Sequence, residues 1–443
     1  MITHVQTGAC ARPRPVSPHG IRRHLLKRLR SPAFGCAIAM IALPGLGLTE
    51  ARGEPAPPYP LLLQQAELMA PRLREIEAST RAAEGRRDQA GVLPNPSINF
   101  YSENLGSGTA SGFSAQQDTL SVAEPIEFGG KRSARIAAGI ADVDSAAAAG
   151  QLEKLTFAYD LAVDYAVAEA AQARVDLYQT ALDSAAEDLR AAQALVNAGR
   201  EAELRAVQAN SALESARSDL EGARAGLQAA LANLSALVAS PQPYSGVPPF
   251  LLPMAARLGQ RVIAPPQQFP AVAAAEAQRQ AAARRVEVER TRPAPTVTAT
   301  LGVRRIAGFN SPLVVAGITI PLPLFDDNSG NIAAALAELD GADARLSGAR
   351  AITEAGWTSA VTQANAADTG LRAAQQAASA ADTAYRLSRT GYDAGRTPLI
   401  EVLTARRNLT EAQLRELDAQ VARIRAEADL SRISGQIPFG ATP

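Results

Sequence analysis

The side chains that most often carry enzymatic chemistry are confined to one end of this sequence. All three histidines (His4, His19, His24) and both cysteines (Cys10, Cys36) fall within the first 36 residues. The same region holds Arg12, Arg14, Arg22, Arg23, Lys27, Arg28 and Arg30 ahead of an apolar run from Phe34 to Leu48, and Thr49-Glu50-Ala51 follows. That order of basic leader, apolar stretch and small residues is the pattern of an export signal cleaved near Ala51. A permanent membrane anchor fits less well, because the run is shorter than the roughly 18–20 apolar residues a span needs and Pro44 interrupts it. Cys36 is a poor lipidation site, since Ala33-Phe34-Gly35 precedes it and the apolar run comes after it. With a leader over 1–51 removed, the chain has no imidazole and no thiol. It then cannot form a disulfide, a histidine proton relay, a cysteine nucleophile or a usual zinc site. The expectation is a protein that is not an enzyme and has neither cofactor nor metal site.

Three further motifs invite a chemical reading and lose it on spacing. Gly129-Gly130-Lys131 lacks the upstream glycine of a phosphate-binding loop, Pro125 standing there instead. Asp326-Asp327-Asn328-Ser329-Gly330 resembles a calcium loop but misplaces its glycine, and capping of the following helix explains the acidic and amide residues better. Gly106 to Gly112 is glycine-rich without a strand-to-helix context, so it reads as a hairpin loop. Composition agrees with these negatives: 44 basic and 44 acidic residues give a net charge of +0, and nothing points to nucleic acid.

What remains is architecture. Hydrophobic residues make up 47 % of the chain but aromatics only 4 %, a balance suited to long helices packed at close range. Ala198-Gly199-Arg200 and Ala394-Gly395-Arg396 repeat at a separation of 395 − 199 = 196 residues. Each ends a proline-free stretch, 130–197 and 329–391, and each is followed by another apolar-periodic segment. In the helix expected at 201–239, Leu213, Leu220, Leu227 and Leu234 recur every seven residues, with Ala216, Ala223, Ala230 and Leu237 three positions on. That is a coiled-coil seam of large against small residues. Leu414, Leu417, Val421, Ile424 and Ala428 give the last helix a similar stripe.

Segments 97–104, 118–127, 296–306 and 312–322 alternate with period two and read as strands. They follow helices at 60–90 and 268–291 that stop at Leu93-Pro94-Asn95-Pro96 and Arg292-Pro293-Ala294-Pro295. The chain is therefore a tandem duplication of helix, hairpin, long helix, turn and helix. It divides into a signal peptide at 1–51, a first repeat at 52–239, a Pro-rich linker at 240–266, a second repeat at 267–435 and a tail at 436–443. The fold class is mainly α with a small β part. Four strands cannot close a barrel, and long open edges are sticky, so several chains donating strands to one barrel is the natural remedy. Strands of about ten residues have the length of tilted membrane-spanning strands.

Leu93-Pro94-Asn95-Pro96, Glu124 to Arg132 (EPIEFGGKR) and Ile318 to Asp326 (ITIPLPLFD), set in this duplicated frame over about 60–435, resemble the TolC-like outer-membrane factors, nearest the branch serving cobalt–zinc–cadmium efflux. The resemblance implies a homotrimer with a 12-stranded barrel in outer-membrane lipid and an antiparallel α-helical coiled-coil tunnel in the periplasm. Its partners would be a periplasmic adaptor and an inner-membrane RND transporter. It also implies a periplasmic constriction lined by an acidic residue six positions after the second turn glycine, here Glu401. The second acidic position of that constriction is Thr404 in this chain, so one carboxylate ring is expected, with weaker cation selectivity. The equivalent position in the first repeat is Arg205, and an Arg205–Glu401 pair would latch a closed tip. The plainer alternative is two solvated surface charges. Gly199, Arg200, Gly395 and Arg396 mark the adaptor-facing turns. Two other functions stay open: a duct for drug or protein export, and a periplasmic coiled-coil scaffold without a pore.

Overall fold

The computed structural model describes residues 53–106, 115–257 and 265–440. The expected export signal and most of the first hairpin loop lie outside these residues. Two copies of one plan follow each other along the chain. The first is α1 (Tyr59–Met69), α2 (Pro71–Ala90), β1 (Ser97–Glu103), β2 (Gln117–Glu127), α3 (Lys131–Asn197) and α4 (Glu203–Leu237). After the short α5 (Leu251–Ala255), the second is α6 (Pro270–Thr291), β3 (Thr296–Ile306), β4 (Leu313–Thr319), α7 (Ser329–Asp393) and α8 (Leu399–Ser434). The helix expected at 60–90 is two helices, broken where Ala70 takes an extended ψ of 126° ahead of Pro71.

α3 and α7 run unbroken for 67 and 65 residues, each about 100 Å at 1.5 Å per residue. α4 folds back on α3 and α8 on α7, giving two long antiparallel pairs. The pairing follows from the alanine-rich stripes: Leu220, Ala223, Ala230 and Leu234 of α4 are buried, while Asp219, Glu221, Gly222 and Arg224 beside the first two are exposed. Small residues let the axes approach, and the leucines fill the remaining space. α3 and α7 also start alike, each from a left-handed residue, Gly130 (φ 78°) and Asn328 (φ 61°).

The calcium-like run Asp326-Asp327-Asn328 forms the entry to α7. Asp326 accepts from the Asn328 backbone N–H (2.9 Å) and Asp327 from that of Ser329 (3.0 Å). The Asn328 side chain does not cap the helix. It donates to the Glu289 backbone oxygen and carboxylate, both at 2.8 Å, and ties α7 to the end of α6.

One antiparallel sheet in the order β1-β2-β3-β4 joins the two repeats, β2 pairing with β3. β4 is shorter than the expected 312–322. Its pairing ends at Thr319, just before Pro321 and Pro323, which have no N–H to donate. The register sorts the side chains by face. Rows such as Phe100, Leu120, Val303 and Val314, or Ile98, Val122, Leu301 and Ala316, form an apolar face. Its large members stand exposed, Ile98 at 76 % and Val314 at 76 %. On the same face Glu124 stands toward the helices, and Asp118 and Arg305 form a charged row at the loop end. The opposite face carries Ser97, Asn99, Thr119, Ser121, Thr298 and Thr300. Among the described residues, β1 and β4 have no strand paired along their outer edges.

The thickest core lies midway along the helices, where Tyr59, Leu62, Phe157, Leu161, Tyr165, Leu231, Leu234 and Ile424 are buried. The segment 240–266, read from its prolines as a linker, docks into this core through Val247, Leu251, Leu252 and Ala255. Its anchor is Glu169, a buried α3 carboxylate that accepts from the backbone N–H groups of Phe250 (2.9 Å), Leu251 (2.9 Å) and Leu252 (3.2 Å). Burial pushes the pKa of this carboxyl up, and the three N–H groups oppose the shift without cancelling it. The tail is held as well: Tyr59 donates to the Pro438 oxygen at 2.8 Å, and Phe439 packs edge-on against the same ring. No helix among the described residues is long and apolar enough to cross a membrane.

Candidate gate at the helical tip

At the end of the helices remote from the sheet, α3 turns into α4 and α7 into α8 through the same backbone device. Gly199 (φ 66°) and Gly395 (φ 70°) are left-handed. The Gly199 N–H donates to Val196 and that of Arg200 to Leu195, and at the second turn Gly395 donates to Tyr392 and Arg396 to Gly391, all at 2.8–2.9 Å. These are the crossed bonds that satisfy the last carbonyls of a helix, and they need a residue at ease with positive φ. Arg200 and Arg396 follow, exposed, at the two turns.

Two residues into α8, Glu401 is exposed and makes no ion pair with the described residues of its own chain. It lies in the helix's first turn, where unsatisfied N–H groups favour a negative charge. Thr404 shares its groove between α7 and α8, and the threonine hydroxyl donates to the Ile400 oxygen at 2.8 Å. Arg205 turns to its own surroundings. Its Nε is 3.8 Å from Glu201 and its Nη1 donates to Gln208 at 3.3 Å. Within one chain Arg205 and Glu401 are not joined.

A different charge cluster ties the two helix pairs together. Asp188 of α3, 5 % exposed, forms an ion pair with Arg406 of α8, and Arg389 of α7 stands 3.5 Å from its other oxygen. Arg406 also lies over the Tyr385 ring, 5.7 Å from the centroid. Burial works against the Arg406 charge, but Asp188 and Tyr385 outweigh it and hold the guanidinium above its ordinary pKa. Just below, Ala192, Ala209 and Leu399 form a small apolar contact with Leu189, Tyr392 and Leu403 around them. Sequence reasoning missed this cluster, although a signal was present. Asp188 interrupts the buried stripe Ala185, Asp188, Ala192, and Arg406 the stripe Leu399, Val402, Arg406. A charge at a seam position usually needs a partner on the facing helix.

The described residues hold no group of three or more histidine, cysteine, aspartate or glutamate side chains placed to bind a metal ion. The sheet thus lies at one end of the long helices, and the two left-handed turns, with Glu401 and the Asp188–Arg406 pair near them, lie at the other. A family described as outer membrane efflux protein matches residues 62–240 and 267–436. The chain belongs to that family. Proteins similar to it include the nickel-cobalt-cadmium resistance protein NccC of Alcaligenes xylosoxydans xylosoxydans, 40 % identical over 93 % of this chain and 93 % of that protein. The nickel and cobalt resistance protein CnrC of Cupriavidus metallidurans is 41 % identical over 87 % of this chain and 92 % of its own. Among solved structures, the CmeC outer membrane channel of Campylobacter jejuni superimposes with a TM-score of 0.72 over 93 % of this chain and 96 % of that one, at 15 % identity. The fold is thus that of a TolC-like outer-membrane channel with a periplasmic helical extension. The two matched segments are separated by residues 241–266, which lie between the two copies of the repeated plan.

Proposed function

We propose that this efflux protein is the outer-membrane duct of a tripartite system that exports divalent heavy-metal cations such as nickel, cobalt and cadmium. It does no covalent chemistry. It takes its cargo from an inner-membrane RND transporter through a periplasmic adaptor. The observation that carries the reading is the sheet: four strands with one apolar exposed face, one polar face and two free edges. A sheet with such a face is stable only when lipid covers the face and another strand covers each edge. Three chains meeting β4 to β1 would supply 3 × 4 = 12 strands and leave no edge, with the polar faces lining a water-filled lumen. A periplasmic scaffold has no use for this sheet. The cargo rests on the relatives, which are resistance proteins for these metals.

At the tip, Glu401 from three chains would form one carboxylate ring, which attracts cations and repels itself. Because Arg205 is engaged with Glu201 and Gln208 in its own chain, an Arg205–Glu401 latch would have to join neighbouring protomers.

The test has two parts. Deleting the gene should lower tolerance to nickel, cobalt or cadmium; unchanged tolerance to all three would remove the metal assignment and point to a duct for drugs or protein. The purified protein, weighed in detergent and placed in planar bilayers, should be a trimer giving small cation-preferring channels that enlarge in Glu401→Ala. A monomer that never conducts would overturn the duct.

A further inference from the structure

The polar face of the sheet contains few charges. Among the described strand residues on that face they are Glu103 of β1, Arg304 of β3 and Glu127 at the helix end of β2. Glu127 is neutralised by a bidentate contact from Arg135 of α3, with oxygens at 2.5 and 2.9 Å. Arg304 and Glu103 lie at the other end, nearest the hairpin loops and farthest from the helices.

Arg304 does not project away from the sheet. Its Nε donates to the Thr119 hydroxyl at 3.0 Å, its Nη1 to the Gln117 amide oxygen at 3.1 Å, and its Nη2 lies 3.7 Å from the Glu103 carboxylate. The guanidinium therefore lies flat across β3, β2 and β1, using each edge of its donor fork. Thr119 is 5 % exposed even in the single chain. The rows toward the helices are lined by small residues, including Ser121, Ala123, Gly302 and Gly317. At Gly302 an added Cβ would come within 2.6 Å of the Ser121 side chain, so no larger residue fits there. Among the described strand residues of this face Arg304 is the one cation, in a row with Tyr101, Thr119 and Leu313.

We propose that Glu103 and Arg304 form a charge-neutralising pair that sets the ion selectivity of the extracellular mouth. Resting on the trimeric duct of the preceding section, the pair occurs three times around the lumen. Glu103 cancels a ring of three cations that would otherwise repel an outgoing divalent cation, and Gln117 and Thr119 keep the guanidinium against the wall. The cargo class this favours is a hydrated cation, for which an uncancelled arginine ring is a barrier.

The test is the reversal potential of purified wild type, Glu103→Gln and Arg304→Gln in planar bilayers under a potassium chloride gradient, with trimer mass checked in each preparation. Glu103→Gln should shift the reversal potential toward anion preference, lowering the cation-to-anion permeability ratio about twofold or more. Arg304→Gln should shift it the opposite way. Opposite signs separate a charge effect from a packing effect, which would move both variants together. Unchanged potentials, or shifts of the same sign, in trimers that conduct would overturn the pair's role and leave the duct standing. A wild type that neither trimerises nor conducts would overturn the duct, and the pair's role with it.

Discussion

At the scale of single residues, the tip is held by a charge that has little access to water. Asp188 meets two arginines, one from each helix of the second pair. Truncating one partner leaves the other charged and buried, so Arg406→Ala should destabilise the protein by about 3–5 kcal/mol. The shift of the denaturation midpoint checks this, and a loss below about 1 kcal/mol would show that water reaches the site. A second charge has a pH signature. Hydrogen bonding by Asn328 first, and then Arg292, hold the Glu289 carboxyl below its ordinary range against the opposing effect of burial. A carboxyl whose pKa is lowered on folding stabilises the protein above its unfolded value of 4.5 and loses that contribution as pH falls through the folded value. Glu289→Gln should therefore reduce stability near pH 7 and flatten its decline below about pH 4.5. Parallel stability–pH curves for variant and wild type would refute the assignment.

At the scale of elements, the long helices and their turns were legible because they obey local rules. The alanine-leucine stripes gave the coiled-coil faces, and Gly199 and Gly395 gave the turns. Both glycines have positive φ and open space around them, so Ala at either position is disfavoured only by its backbone conformation, at a cost of about 1 kcal/mol. Gly395→Ala should lower stability by that amount, and a neutral result would mean that the turn relaxes. The docking of the segment 240–266, read from its prolines as a linker, was not legible, because proline spacing reports local conformation and says nothing of burial. Its docking depends on Glu169, which is distant in sequence. Glu169→Ala would orphan three backbone N–H groups, at about 1–3 kcal/mol each. A loss of at least 3 kcal/mol in the denaturation free energy is expected, and a loss under 1 kcal/mol would show that α5 is held by its apolar contacts alone.

At the scale of the whole molecule, the two faces of the sheet make opposite predictions. Leu301 lies in the apolar band and Thr300 beside it on the polar face. A cation introduced among lipid tails costs about 2–4 kcal/mol, whereas the same change in a lumen mainly alters selectivity. Leu301→Arg should sharply reduce outer-membrane assembly, measured as heat-resistant oligomer in membrane fractions, and Thr300→Arg should leave it intact. Equal assembly of both variants would contradict the lipid and lumen assignment of the faces.

The sequence by itself determined the duplication, the type of almost every element, the strand faces and the two helical turns. Each of these follows from period, proline and glycine within a short window. Only the tertiary structure decided which charges meet. Asp188 lies 218 positions before Arg406, counted as 406 − 188, and Arg304 reaches Glu103 across a strand from the other repeat. Repeat symmetry suggested Arg205 and Glu401 as partners. Within the single chain Arg205 lies beside Glu201, four residues away. Periodicity fixes the face a charge occupies, whereas its partner depends on how separate helices and strands are laid side by side.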